Sequence, residues 1–98
     1  MYIIRDIFYL HFGHFKAAKA LMDEARSNKL MPEAKAIRVL SDFTGHSYRL
    51  IMEEGFSSLA EYEQSLSAGM GQGDWKNWYE KFKSHVAHSE REILKVVD

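Results

Sequence analysis

Arg5, Arg38 and Arg49 stand in three separate runs rich in Ile, Leu and Val, and Asp42 and Glu53 share those runs. A guanidinium is a planar fork of donors that matches oxygen-rich or anionic groups. Three of them aimed at one space would grip a small molecule of that kind, with Asp42 or Glu53 orienting them. The same charges also serve as ion pairs that fix the register of two packed surfaces, and that is the commoner use. His11 follows closely on Tyr9 and Arg5. An imidazole titrates near neutrality, so His11 can act as a general base, with Tyr9 and Arg5 beside it as the further candidates for catalysis. A hydrogen-bonded structural histidine is the ordinary alternative.

The remaining candidates point less sharply. His85 and His88 are three apart. On a helix they would share a face and could ligate one metal ion, but no carboxylate motif completes a site, so exposed histidines at a helix end are expected and no metal is assigned. Trp75, Trp78, Tyr79, Phe82 and Val86 recur at helical spacing. Such a stripe could wall a pocket for a flat ligand, yet it more often builds a core. The run Gly69-Met-Gly-Gln-Gly73 does not match a dinucleotide-binding spacing, no strand precedes it, and Asp74 would repel a phosphate. It reads as a break between helices or at most a lid. With no cysteine in the chain, disulfides, thiolate nucleophiles and zinc-thiolate sites are excluded.

Elements must position these groups. Tyr2 to Phe12 is dominated by β-branched and aromatic residues and predicts a strand that Gly13 ends. Phe15, Ala18, Leu21, Met22 and Ala25 then follow helical spacing, which predicts a helix from about His14 to Asn28, closed before Pro32. Ala36 to Glu53 reads as a hairpin turning at Thr44-Gly45-His46, with positive φ at Gly45. Ser58-Leu-Ala-Glu61 is a capping box that opens a second helix, and Asp74 can cap a third. Glu92 to Val97 reads as a last short strand. The order β-α-β-β-α-β, with the second helix broken in two, is the ferredoxin-like split βαβ arrangement: an α+β fold with a four-stranded antiparallel sheet and helices on one face. At 98 residues the chain makes a single domain, 1–98.

Alternation then sorts the strands. Tyr2, Ile4, Asp6, Phe8, Leu10 and Phe12 suit the helix side, as do Ile37, Val39, Phe43, Tyr48, Leu50, Met52, Leu94 and Val96. The other face would carry Ile3, Arg5, Ile7, Tyr9, His11, Arg38, Leu40, Asp42, Arg49, Ile51, Glu53, Ile93, Lys95 and Val97. That mixture is too apolar for water and too charged for a dry core. It suits enclosure by the sheet of a second copy.

Arg38-Val-Leu-Ser-Asp-Phe-Thr-Gly45, Tyr48-Arg-Leu-Ile-Met-Glu-Glu54, Ser58-Leu-Ala-Glu-Tyr62 and Trp75-Lys-Asn-Trp-Tyr79 together give the chain a likeness to the dimeric α+β barrel superfamily, and within it the chain resembles the NIPSNAP-like small proteins. The resemblance spans nearly the whole chain and implies two ferredoxin-like sheets packed face to face. Members of the superfamily range from cofactor-free monooxygenases and haem-degrading enzymes to proteins with no known activity. The first-strand run Ile3-Ile4-Arg5-Asp6-Ile7 lacks the Asn that haem-degrading members carry there.

A homodimer that binds a small molecule, or regulates through one, is therefore the leading expectation, with no cofactor. A cofactor-independent monooxygenase or isomerase acting through His11, Tyr9 and Arg5 comes second, and a pure assembly protein third. A net charge of -1 provides no field for nucleic acid, and no run is long and apolar enough for a membrane span. The absence of cysteine and of a signal-like start suits the cytoplasm.

Overall fold

β-Branched and aromatic runs alternate with helical stripes along the chain, and the computed structural model, which describes residues 1–31, 34–69 and 73–98, folds each accordingly. The elements are β1 (Tyr2–Leu10), α1 (Phe15–Ser27), β2 (Ala36–Ser41), β3 (Arg49–Phe56), α2 (Leu59–Gly69), α3 (Gly73–Lys83) and β4 (Val86–Lys95). The strands form one antiparallel sheet in the order β2-β3-β1-β4, which is the ferredoxin-like topology.

Local chemistry sets most boundaries. Gly13 at φ 82° turns the chain from β1 into α1. The Ser58 hydroxyl accepts the Glu61 backbone N–H at 3.2 Å as the expected capping box requires, while the Glu61 carboxylate reaches one residue further back and accepts from the Ser57 N–H at 3.2 Å, and the two bonds start α2. Gly45 takes a φ of 87° in the β2–β3 connection as the turn requires. That connection is wider than expected. Strand pairing stops at Ser41 and resumes at Arg49, so Phe43 is thrown fully into solvent instead of joining the helix side. The expected closure of α1 at Pro32 and the lid at residues 70–72 lie outside the described residues.

Three helices cover one face of the sheet in two apolar clusters. Under α1 and α3, Ala18, Met22, Ala25, Trp78 and Phe82 pack on Leu10, Leu50 and Met52. Under α2, Tyr62 packs on Ile4 and Phe56. The Trp78 indole N–H donates to the Leu21 carbonyl at 2.6 Å and ties α3 to α1. So the aromatic stripe is core along its Trp78–Phe82 edge, where the rings stack at 4.9 Å.

One expectation fails at the C-terminal end. β4 begins at Val86, not Glu92, and its pairing with β1 sets Ile93 beside Ile4 and Arg91 beside Asp6 on the helix side. Leu94, Glu92 and His88 therefore lie on the open face, the reverse of the phase expected for Leu94 and Ile93. The run from Val86 to Arg91 is polar and lacks a β signature. It becomes a strand because the exposed edge of β1 offers it a ladder. His88 is thus a strand residue, and it never shares a helix face with His85.

Candidate functional site

The pairing register lays residues in rows across the sheet. On the open face one row reads Arg38, Glu53, Arg5, Glu92. Arg5 Nε donates to Glu53 Oε2 at 2.8 Å, and Arg38 Nε donates to Glu53 Oε1 at 3.0 Å. The hydrogen-bonded Arg38 guanidinium, with Arg5 on the other oxygen, holds the Glu53 carboxyl below its usual range against the opposing effect of burial. Three of the expected ligand-gripping residues are brought together here, and they engage one another. The next row runs Leu40, Ile51, Ile7 and Glu90, three aliphatic side chains ending on a charge.

The other expected residues lie apart from this row. Asp42 accepts the Arg49 backbone N–H at 2.7 Å, while the Arg49 side chain donates to the carbonyls of His46 and Thr44 at 3.1 and 3.0 Å, so both brace the hairpin connection. Tyr9 stacks on His88 with ring centroids 5.4 Å apart. His11 sits past the end of β1 near His14, whose Nδ1 is 2.9 Å from His85 Nδ1. His11, Tyr9 and Arg5 therefore do not meet in one contact set. Among the described residues no group of three or more His, Asp or Glu side chains has metal-holding geometry.

The helix face holds what the alternation passed over. Between the sheet and the helices lies a cavity of about 360 Å³, lined by Phe8, Met22, Met52 and Trp78 of the first cluster, by Leu66 beside the second and by Trp75, together with the polar set Asp6, Glu54, Tyr62 and Arg91. Glu54 is 2% exposed and Tyr62 8%. Glu54 Oε2 and Tyr62 Oη are both buried with no hydrogen-bond partner among the described residues. In a protein interior nearly every such atom is satisfied, because an orphan costs free energy. Asp6 is not an orphan: Arg91 Nε donates to its Oδ1 at 2.6 Å. Arg91 also lies near Tyr62, and its charge and a weak hydrogen-bonding contact lower the phenol against the effect of burial, although among the described residues no partner meets hydrogen-bond geometry at Tyr62 Oη.

Register explains the electrostatics of this polar set. Glu54 lies between Ile37 and Ile4 in an apolar row, diagonal to Asp6 in the adjacent row. Burial pushes its carboxyl up from 4.5 to about 7, the Asp6 charge adds to the rise, and Arg91 offsets part of it. Burial likewise raises the Tyr62 phenol, which keeps its proton. Glu53 and Glu54 are adjacent in sequence, yet the pleat sends them to opposite faces and their pKa values in opposite directions. The signal was present in the sequence: Asp6 and Glu54 both fall on the apolar parity of their strands. Arg91 was hidden because β4 was placed too late.

No protein-family model matches the chain. No curated protein matches it at a significant level. Solved structures do. An uncharacterised NIPSNAP domain protein from Burkholderia xenovorans superposes with a TM-score of 0.87 at 7% identity, over 99% of this chain and 95% of that one. A NIPSNAP family protein from Agrobacterium tumefaciens gives 0.85 at 16% identity, over 99% and 93%. A putative antibiotic biosynthesis monooxygenase from Nitrosomonas europaea gives 0.76 at 11% identity, over the full length of both. At these identities the likeness is one of fold: the chain has the NIPSNAP-like ferredoxin fold that its sequence resembled.

Proposed function

We propose that this NIPSNAP-like fold serves as a homodimeric small-molecule-binding protein whose ligand sits between the sheet and the helices. The observation that carries the reading is the pair of partnerless buried atoms, Glu54 Oε2 and Tyr62 Oη, at one apolar cavity. A bound molecule with a carbonyl or hydroxyl would satisfy both, while Phe8, Trp75 and Trp78 would cover its apolar body. At about 360 Å³ the space falls near the lower end of ligand pockets, which run from about 300 to 1,000 Å³. The charge balance favours a neutral guest. Arg91 is committed to Asp6, so an anion would meet the carboxyls of Asp6 and Glu54 with no other cation in the lining among the described residues.

Dimerisation through the open face completes the reading. The row Arg38, Glu53, Arg5, Glu92 alternates in sign, and the next row sets the aliphatic Leu40, Ile51 and Ile7 beside Glu90 at the edge; a second copy turned over on these rows would be met by complementary groups. This assigns the arginines to assembly and the ligand to the opposite side of the sheet.

Titration with 2-tetralone, a neutral two-ring ketone, tests the binding. Trp75 and Trp78 line the cavity, so saturable quenching of tryptophan fluorescence and a raised Tm are expected, both weakened in Trp78→Leu and Tyr62→Phe. Absence of any saturable response up to the solubility limit of the ketone would refute the reading.

A further inference from the structure

We infer that the Glu54–Tyr62 pair catalyses proton transfer at the carbon next to a carbonyl, so that the protein acts as a tautomerase or double-bond isomerase on neutral, ring-bearing ketones. The inference rests on the binding reading and adds a reaction to it. Three features carry it. Both groups are more than nine-tenths buried, both have a polar atom without a hydrogen-bond partner among the described residues, and both line one cavity. The two have complementary roles: a carboxylate accepts a proton, and a phenol donates a hydrogen bond. Among the described residues neither atom has a partner that meets hydrogen-bond geometry.

The chemistry follows from those roles. The ionised Glu54 carboxylate takes a proton from the α-carbon of the bound ketone; the C–H bond breaks and an O–H bond forms on Glu54. The released electron pair moves into the carbonyl system and leaves an enolate oxygen, to which the Tyr62 O–H donates. In a β,γ-unsaturated ketone, return of the proton from Glu54 to the γ-carbon gives the conjugated isomer. Return to the α-carbon restores the starting ketone. No electrons leave the system and no co-reactant is needed. A base that is half-ionised near neutrality suits the task, because it takes up and gives back a proton with little bias. Tyr62, held protonated by burial, stays a donor throughout. The Asp6–Arg91 ion pair beside them is positioned to set the Glu54 charge rather than to touch the reacting carbon.

The measurement is exchange of the C1 protons of 2-tetralone in D2O, followed by proton NMR with the full-length protein. Exchange faster than in buffer is expected, rising with pH and levelling above about 7 as Glu54 ionises. Glu54→Gln should slow it by about 100-fold, and Tyr62→Phe by about tenfold or more, while circular dichroism shows both variants folded. If 2-tetralone binds wild-type protein but its exchange is no faster than in buffer, or is equally fast in Glu54→Gln, the catalytic inference is overturned and binding stands. Exchange that survives Glu54→Gln and is lost in His11→Ala overturns it as well. If 2-tetralone does not bind at all, the binding reading fails and the inference falls with it.

Discussion

Glu53 and Glu54 show how much one peptide unit decides. Both are Glu, both are on β3 and both are buried, yet Glu53 takes two guanidinium partners and Glu54 keeps an oxygen with none among the described residues. The consequence is a stability that depends on pH in a definite direction. Unfolded, Glu54 titrates near 4.5; folded, near 7. Between these values the folded chain holds a proton that the unfolded chain has released, so the contribution of Glu54 is fully present below 4.5 and is lost as pH rises through 7. The loss is on the order of 3 kcal/mol. Glu54→Gln is neutral at every pH and removes this dependence. Urea unfolding of both proteins at pH 5 and pH 8 should therefore show the variant gaining most of that amount relative to wild type across the interval. An unchanged difference would mean that Glu54 titrates normally. Glu53 works the opposite way: its lowered pKa makes its ion pairs contribute above the ordinary carboxylate range and fade as pH falls through its folded value.

Helix α2 brings Tyr62 to the cavity, and its start is fixed by the reciprocal bonds of Ser57, Ser58 and Glu61. Ser58→Ala removes one acceptor for the helix's free N–H groups and is expected to cost about 1 kcal/mol by denaturant unfolding. Because α2 is the only helix over the Ile4–Phe56–Tyr62 cluster among the described residues, the same change should also weaken 2-tetralone binding. A stability loss without a change in binding would show that Tyr62 is placed by its own packing on Phe56, 5.3 Å away between ring centroids, and not by the cap. At the far end of the helical layer, the Trp78 to Leu21 hydrogen bond does for α3 what the cap does for α2. These local devices were legible in the sequence because each uses neighbours in the chain: a Ser-x-x-Glu spacing, a glycine at a turn, an apolar stripe. The hairpin connection was harder to read. Asp42 and Arg49 look like a charge pair aimed at a cavity, but each is spent on nearby backbone.

In the whole molecule the sheet divides two tasks: the helix face encloses a cavity, and the open face carries rows of alternating charge and aliphatic side chains. If the second is an interface, Leu40→Asp or Ile51→Asp should convert the dimer to a folded monomer in sedimentation experiments at micromolar concentration, because an unpaired carboxylate would be buried at its centre. Lys16→Asp, on the exposed side of α1, should leave it intact. A wild-type monomer at those concentrations would rule out the interface.

What the sequence determined by itself was periodicity and parity. Alternation and helical spacing were enough for the ferredoxin-like order, for the helix-side assignment of Ile4, Phe8, Leu50 and Met52, and for the apolar and charged mixture of the open face. They depend only on pleat and helix geometry, which repeat along the chain. What the tertiary structure alone decided was which charges meet. Pairing of β4 from Val86, six residues earlier than its composition suggested, set Arg91 against Asp6. Packing of the helices over the sheet set Glu54 and Tyr62 in the wall of one cavity. Neither fact is local: each depends on contacts between residues distant in the chain, and so the candidate site lay on the opposite side of the sheet from the charges that first drew notice.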